Sequence, residues 1–227
     1  MAQSWEHLLF AHWRVEARVL RPLLPPQIPL DTFDGSAWIG VTPFMVSAFR
    51  LRGMPHLPKI TQFPEVNVRT YTTIAAKPGI FFLSLDAGSG LAVAGARRAY
   101  RLPYFRARMS VNRRGGWIHY RSERTSADGP EARLAMRYRA TGPVSPAPVG
   151  SLARWLVERY CLYTLDEQGA VHRADIQHPP WPLQEAEAEW EINSMATPYG
   201  LDPPSDQALL HFARRQDVVA WPLAPVD

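Results

Sequence analysis

A carboxylate, an amide, a guanidinium and a phenol recur at every second position of Glu65-Val-Asn67-Val-Arg69-Thr-Tyr71. Alternation of polar and apolar residues is the period of a half-buried strand, so these four groups share one face while Val66, Val68 and Thr70 take the other. Such a face joins proton transfer to anion binding. A glutamic acid whose pKa is raised by burial serves as general acid or base, and an arginine in a dry cavity grips a carboxylate through paired, charge-assisted hydrogen bonds. The working site is therefore expected within Phe63 to Val111.

The elements that must position these groups read mainly as strands. Lys77-Pro78-Gly79 predicts a turn, and the apolar run Ile80 to Leu85 predicts the next strand. Gly88-Ser-Gly90 reads as a turn into a short helix over Leu91 to Arg98. Upstream, Leu8 to Glu16 and Ala37 to Phe49 read as strands, with a short helix or turn at Ala17 and a bulge or edge position at Pro43. The prolines of Leu51 to Pro64 predict a loop. Downstream, Tyr104 to Asn112, Trp117 to Arg124 and Arg133 to Thr141 form a meander whose arginines Arg106, Arg108, Arg137 and Arg139 read as a solvated face. Ser151 to Tyr163 has helical spacing with Ser151 as cap, and β-like segments return at Val171 to Gln177 and Leu209 to Leu223, with Leu183 to Met195 ambiguous. No linker divides the chain, so one domain over residues 1–227 is expected, of class α+β, with a predominantly antiparallel sheet that must curl or close.

Composition removes several classes of function. Twenty-five basic residues are interleaved with 21 acidic ones along all 227 residues, without the basic stripe or module that nucleic-acid binding requires. No apolar run approaches a membrane span and no targeting segment is read at the N-terminus, so a cytoplasmic location is expected. One cysteine, Cys161, excludes an intramolecular disulfide and a multi-cysteine zinc site, and its apolar helical surroundings suggest an inert thiol. The seven histidines never fall two, three or four residues apart, so no metal is expected, and the histidine of His178-Pro-Pro-Trp181 reads as a structural corner. Phosphate-cradling, dinucleotide-binding and nucleophile-elbow motifs are absent, so no cofactor is expected. Only Lys59 and Lys77 are lysines, which leaves Schiff-base chemistry two side-chain candidates.

The ordered motifs HWR (His12 to Arg14), LPP (Leu24 to Pro26), DTFDGSAW (Asp31 to Trp38), NVRTY (Asn67 to Tyr71), GIFFLSLDA (Gly79 to Ala87), LPYF (Leu102 to Phe105), ERY (Glu158 to Tyr160) and HPPWPLQ (His178 to Gln184) span nearly the whole chain. With them the sequence resembles the YqjF-like family of uncharacterised bacterial proteins. More distantly it is similar to acetoacetate decarboxylase, whose superfamily folds as a closed β-rich cone around a deep, mostly apolar cavity. That resemblance implies a match of Arg14, Glu65 and Arg97 to the enzyme's arginine, glutamate and second arginine. It also sets Tyr104, after Pro103, where the enzyme carries its imine-forming lysine. A phenol forms no imine, so decarboxylation through a Schiff base is not expected.

The resemblance thus implies a cavity for a small carboxylate or carbonyl compound, with Glu65 and Tyr104 as catalytic candidates and Arg14, Arg69 and Arg97 as ligand-binding ones. Tyr104 would donate to a developing oxyanion. Three alternatives stand beside this. Arg14 and Glu65 form a buried ion pair with Tyr104 packed in the core; the cavity serves a non-catalytic binding or sensing module; or the fold is an interaction scaffold presenting its proline-rich segments. Superfamily members assemble, and eight tryptophans are compatible with a homo-oligomer, but composition does not choose between monomer and dimer.

Overall fold

The structure, a computed structural model, describes residues 1–50 and 62–226. Residues 51–61 of the loop expected over Leu51 to Pro64, with Lys59 and His56, lie outside them. In the described residues twelve strands run β1 (Ala2–Val15), β2 (Ala37–Arg50), β3 (Phe63–Ile74), β4 (Lys77–Ala87), β5 (Tyr104–Arg114), β6 (Trp117–Arg124), β7 (Arg133–Ala140), β8 (Cys161–Leu165), β9 (Val171–Gln177), β10 (Leu183–Asn193), β11 (Leu209–Ala220) and β12 (Ala224–Pro225). Three helices, α1 (Ala17–Leu20), α2 (Gly90–Tyr100) and α3 (Leu152–Val157), accompany them. The protein is thus the expected curled, mainly antiparallel sheet with a few short helices.

The strand order is β12-β9-β8-β4-β3-β2-β1-β11-β10-β7-β6-β5, and two further pairings, β9 with β11 and β4 with β5, each close a ring. Strands β4, β3, β2, β1 and β11 belong to both rings and so turn one face towards each of them. The two faces feed two cores. Leu8 and Phe10 of β1 and Phe44 of β2 enter the first, with Trp181. Leu9, Ala11 and Trp13 of β1 and Val66 and Val68 of β3 enter the second, with Tyr120 and Tyr138.

This shared wall changes the meaning of the polar alternation in β3. Glu65, Asn67 and Arg69 do share a face, but it points into the first ring, and all three are buried. The strand is buried on both faces, where alternation alone indicated one.

Other expectations shift locally. The β3–β4 turn is Ala75-Ala76, and Lys77 to Gly79 already pair in β4. The expected helix from Ser151 is capped by Ser151 but stops at Val157, and Cys161 begins β8. The expected loop Leu51 to Pro64 loses Phe63 and Pro64 to β3. Leu183 to Asn193 is strand β10, whose Glu187 and Glu189 pair with Arg139 and Arg137 of β7, which accounts for the solvated arginine face. Pro43 sits opposite a bulge of β1, where the ladder is interrupted between Glu6 and Ala11.

Ala75 and Ala76 both take left-handed backbone, with φ of 49° and 58°. A two-residue hairpin of this hand suits Asn-Gly, because a Cβ is strained there. The double substitution Ala75→Asn with Ala76→Gly is expected to stabilise the fold by about 1 kcal/mol, read as a higher urea midpoint at unchanged m-value. A lower midpoint contradicts this.

Candidate functional site

The first ring is not completely filled. A cavity of about 80 Å³ remains, with Glu65, Asn67 and Arg69 of β3, Thr42 of β2, Tyr104 of β5, Arg159 after α3 and His178 after β9 on a wall otherwise mostly aromatic and aliphatic. The Tyr104 hydroxyl donates to Glu65 Oε2 at 3.1 Å. Glu65 is held from the other side of the wall as well, because the buried Tyr120 hydroxyl donates to its backbone carbonyl at 2.7 Å.

Burial pushes the Glu65 carboxyl up to about 8, with the Tyr104 hydrogen bond opposing and the nearby Asp86 charge adding to the rise. Burial and the Glu65 carboxyl together hold the Tyr104 phenol well above its ordinary range. At neutral pH the pair therefore presents a protonated carboxyl and a protonated phenol. Tyr104 supplies one proton to Glu65, and the Glu65 O–H is available to a further acceptor.

A raised carboxyl pKa ties stability to pH. Between about 4.5 and 8 the folded state retains a proton that the unfolded chain has released, so this contribution is complete below 4.5 and is lost as pH rises towards 8. Glu65→Gln removes the dependence. Relative to that variant, wild type is expected to lose on the order of a few kcal/mol between pH 5 and pH 9 in denaturant titrations. Parallel curves across that range contradict the assignment.

The opposite chemistry lies four residues along β3. Arg69 is buried, with its guanidinium carbon 5.3 Å from the Phe10 ring centroid and 5.9 Å from that of Tyr71. Among the described residues its Nε and Nη2 are buried without a hydrogen-bond partner, as are Asn67 Oδ1 and Thr42 Oγ1. Among the described residues no carboxylate pairs with it. Arg159 lies 5.0 Å from the same Tyr71 ring and donates from Nη1 to Asp31 at 2.9 Å and from Nε to the Trp155 carbonyl at 2.7 Å. Its Nη2 is unpartnered too. Two guanidiniums thus face one carboxylate, and Glu65 is neutral.

The structure brings together Glu65, Tyr104 and Arg69. It does not bring Arg14 or Arg97 to them. Arg14 is exposed and lines a separate surface groove with Trp38 and Leu201; it shares the β1 face of Phe10 but sits at the end of the strand, past the buried stretch. The expected convergence of Arg14 with Glu65 therefore fails, as does the alternative of an Arg14–Glu65 ion pair. Arg97 leans outward from α2, pairs with Asp128 at 2.9 Å and donates from Nε to the Tyr104 backbone carbonyl at 2.6 Å, so it braces Tyr104 from behind. Tyr104 keeps the parity of Arg106, but only it lies inside the ring, for β5 leaves the wall after three pairs with β4.

Sequence reasoning missed Arg159 and His178 as wall residues. Arg159 was legible only as part of ERY, and its assignment to a helix hid that the chain turns it inward after Val157. Lys77 lies at the start of β4 and pairs with Asp175 at 2.8 Å. Cys161 is buried, and burial pushes its thiol pKa up. Among the described residues no cluster of three or more His, Cys, Asp or Glu is arranged for a metal ion, and no helix is long and apolar enough to cross a membrane.

Comparison with known proteins adds relatives and a fold. Residues 2–217 match the DUF2071 family, described as an uncharacterized conserved protein. The uncharacterized protein YqjF of Bacillus subtilis is 45% identical over 223 residues, covering 98% of this chain and 91% of that protein. Among solved structures, the enduracididine biosynthesis enzyme MppR complexed with pyruvate aligns over 100% of this chain and 90% of its own, with a TM-score of 0.65 at 9% identity. An acetoacetate decarboxylase-like enzyme from Sphingomonas wittichii RW1 aligns over 100% and 93%, with a TM-score of 0.63 at 13% identity.

Proposed function

The chain belongs to the DUF2071 family of uncharacterized conserved proteins, and on that footing we propose that its interior cavity binds a small carboxylate or carbonyl compound without forming a Schiff base. The observation that carries this reading is Arg69, a buried guanidinium on the cavity wall whose Nε and Nη2 have no hydrogen-bond partner among the described residues, beside a glutamic acid that is neutral. A buried charge without a counter-ion is costly, and a bound carboxylate offsets that cost with charge-assisted hydrogen bonds. The neutral Glu65 O–H then meets a second oxygen of the ligand, as hydrogen-bond donor in binding and as general acid if the ligand is transformed. MppR, of the same fold, is complexed with pyruvate, which supports a small acid as the class.

Among the described residues no lysine side chain lines the wall. Tyr104 takes the place of the decarboxylase lysine, and Lys77 is engaged with Asp175. The volume favours compact ligands, since a cavity of roughly 150 Å³ accommodates benzene and this one offers about 80 Å³. We place the protein in the cytoplasm as a single domain, with a homo-oligomer compatible with this reading. The test is a calorimetric titration with acetate, pyruvate and lactate against their uncharged amides. Saturable binding of the acids alone supports the proposal, and equal or absent binding refutes it.

A further inference from the structure

His178 is a cavity residue whose ring nitrogens have no part in the reading above. It is buried on the wall between two rings, with its centroid 4.6 Å from Tyr160 and 5.0 Å from Trp181. Its Nδ1 lies 2.7 Å from the Pro179 carbonyl oxygen, an acceptor only, so Nδ1 carries the proton and donates. Gln216 Nε2 donates to the same carbonyl and therefore stands 3.2 Å from Nδ1, two donors converging on one acceptor. That tautomer leaves the lone pair on Nε2, for which no hydrogen bond is found among the described residues.

We infer that His178 Nε2 is a ligand contact that accepts a hydrogen bond, and that the cavity accordingly selects a small acid bearing a hydroxyl group, an α-hydroxy carboxylate. This rests on the reading of the cavity as a carboxylate site and narrows it. Arg69 and the neutral Glu65 are donors, as is Arg159. A ligand with acceptors alone would satisfy these three and leave Nε2 unpaired, whereas a hydroxy acid supplies carboxylate oxygens to the donors and an O–H to the imidazole. A buried polar group left without its partner is what makes such sites discriminate.

The experiment compares dissociation constants of glycolate with acetate, and of lactate with propionate, by calorimetry on the full chain. Wild type is expected to bind each hydroxy acid roughly three- to tenfold more tightly than its partner, the worth of one net hydrogen bond. His178→Leu is expected to lose the preference, binding the two acids of each pair equally. His178→Gln, which returns an acceptor oxygen near the position of Nε2, is expected to recover part of it. Equal binding of the paired acids by wild type, or a preference that survives His178→Leu, overturns the inference while leaving the carboxylate site standing. If neither acid of a pair binds wild type, the carboxylate reading itself fails, and the inference falls with it. Should His178→Leu not fold, the wild-type ratios and His178→Gln still decide.

Discussion

Replacing Arg124 with methionine is expected to destabilise the protein by about 3–5 kcal/mol, the cost of leaving one member of a buried ion pair alone. Arg124 donates from Nη2 to Asp86 at 2.7 Å and from Nε to both carboxylate oxygens, and neither side chain is more than 1% exposed. Burial raises the Asp86 carboxyl, and only the guanidinium opposes that rise. The pair also locks the closure of the second ring, because Asp86 sits on β4 opposite Phe105 of β5 and Arg124 stacks 4.0 Å from the Phe105 ring. At this chain length the loss corresponds to roughly 6–20 °C in melting temperature. The double variant Asp86→Leu with Arg124→Met is expected to recover much of it, since removing both charges removes the orphan. A loss below about 1 kcal/mol in the single variant would mean that the pair is not buried as described.

Arg69→Met is expected to act in the opposite direction. The ligand-free protein should gain about 1–4 kcal/mol, because a thioether of similar length replaces a desolvated charge that has no carboxylate partner among the described residues. Arg159→Met is the contrasting case. It removes the guanidinium held by Asp31 and leaves that carboxylate with Thr73 and the Thr32 N–H, so stability should fall. Urea unfolding of the two variants beside wild type reads both signs directly. A gain at position 69 together with loss of acid binding would show a group retained for function at the expense of stability. Destabilisation by Arg69→Met would make Arg69 a structural residue.

How much of this was legible in the sequence depended on whether local pattern or ring closure decided the matter. Strand parity placed Glu65, Asn67 and Arg69 together, because the two-residue period is independent of tertiary context. Where the face points was not legible. Alternation implies one wet face, and only the pairings of β4 with β5 and β9 with β11 turn that face into an interior. Arg14 shows the converse error, for its match to a decarboxylase arginine located it in the chain and not at the exposed end of β1. Tyr104 was found through the resemblance rather than through pattern, since Pro103 precedes a strand that departs from the wall after three pairs. Arg159 and His178 come from turns after α3 and β9, where no periodicity predicts direction. The turn Ala75-Ala76 was missed because alanine carries no turn signal, whereas Lys77-Pro78-Gly79 does.

The most direct test of the central claim is a thermal-shift comparison of wild type, Arg69→Met and Arg14→Ala with a small acid, such as lactate or pyruvate, held near 100 times its dissociation constant. The account predicts that wild type and Arg14→Ala are each stabilised by about 2.7 kcal/mol while Arg69→Met does not respond. The claim is contradicted if no acid shifts wild type, or if Arg69→Met responds as wild type does.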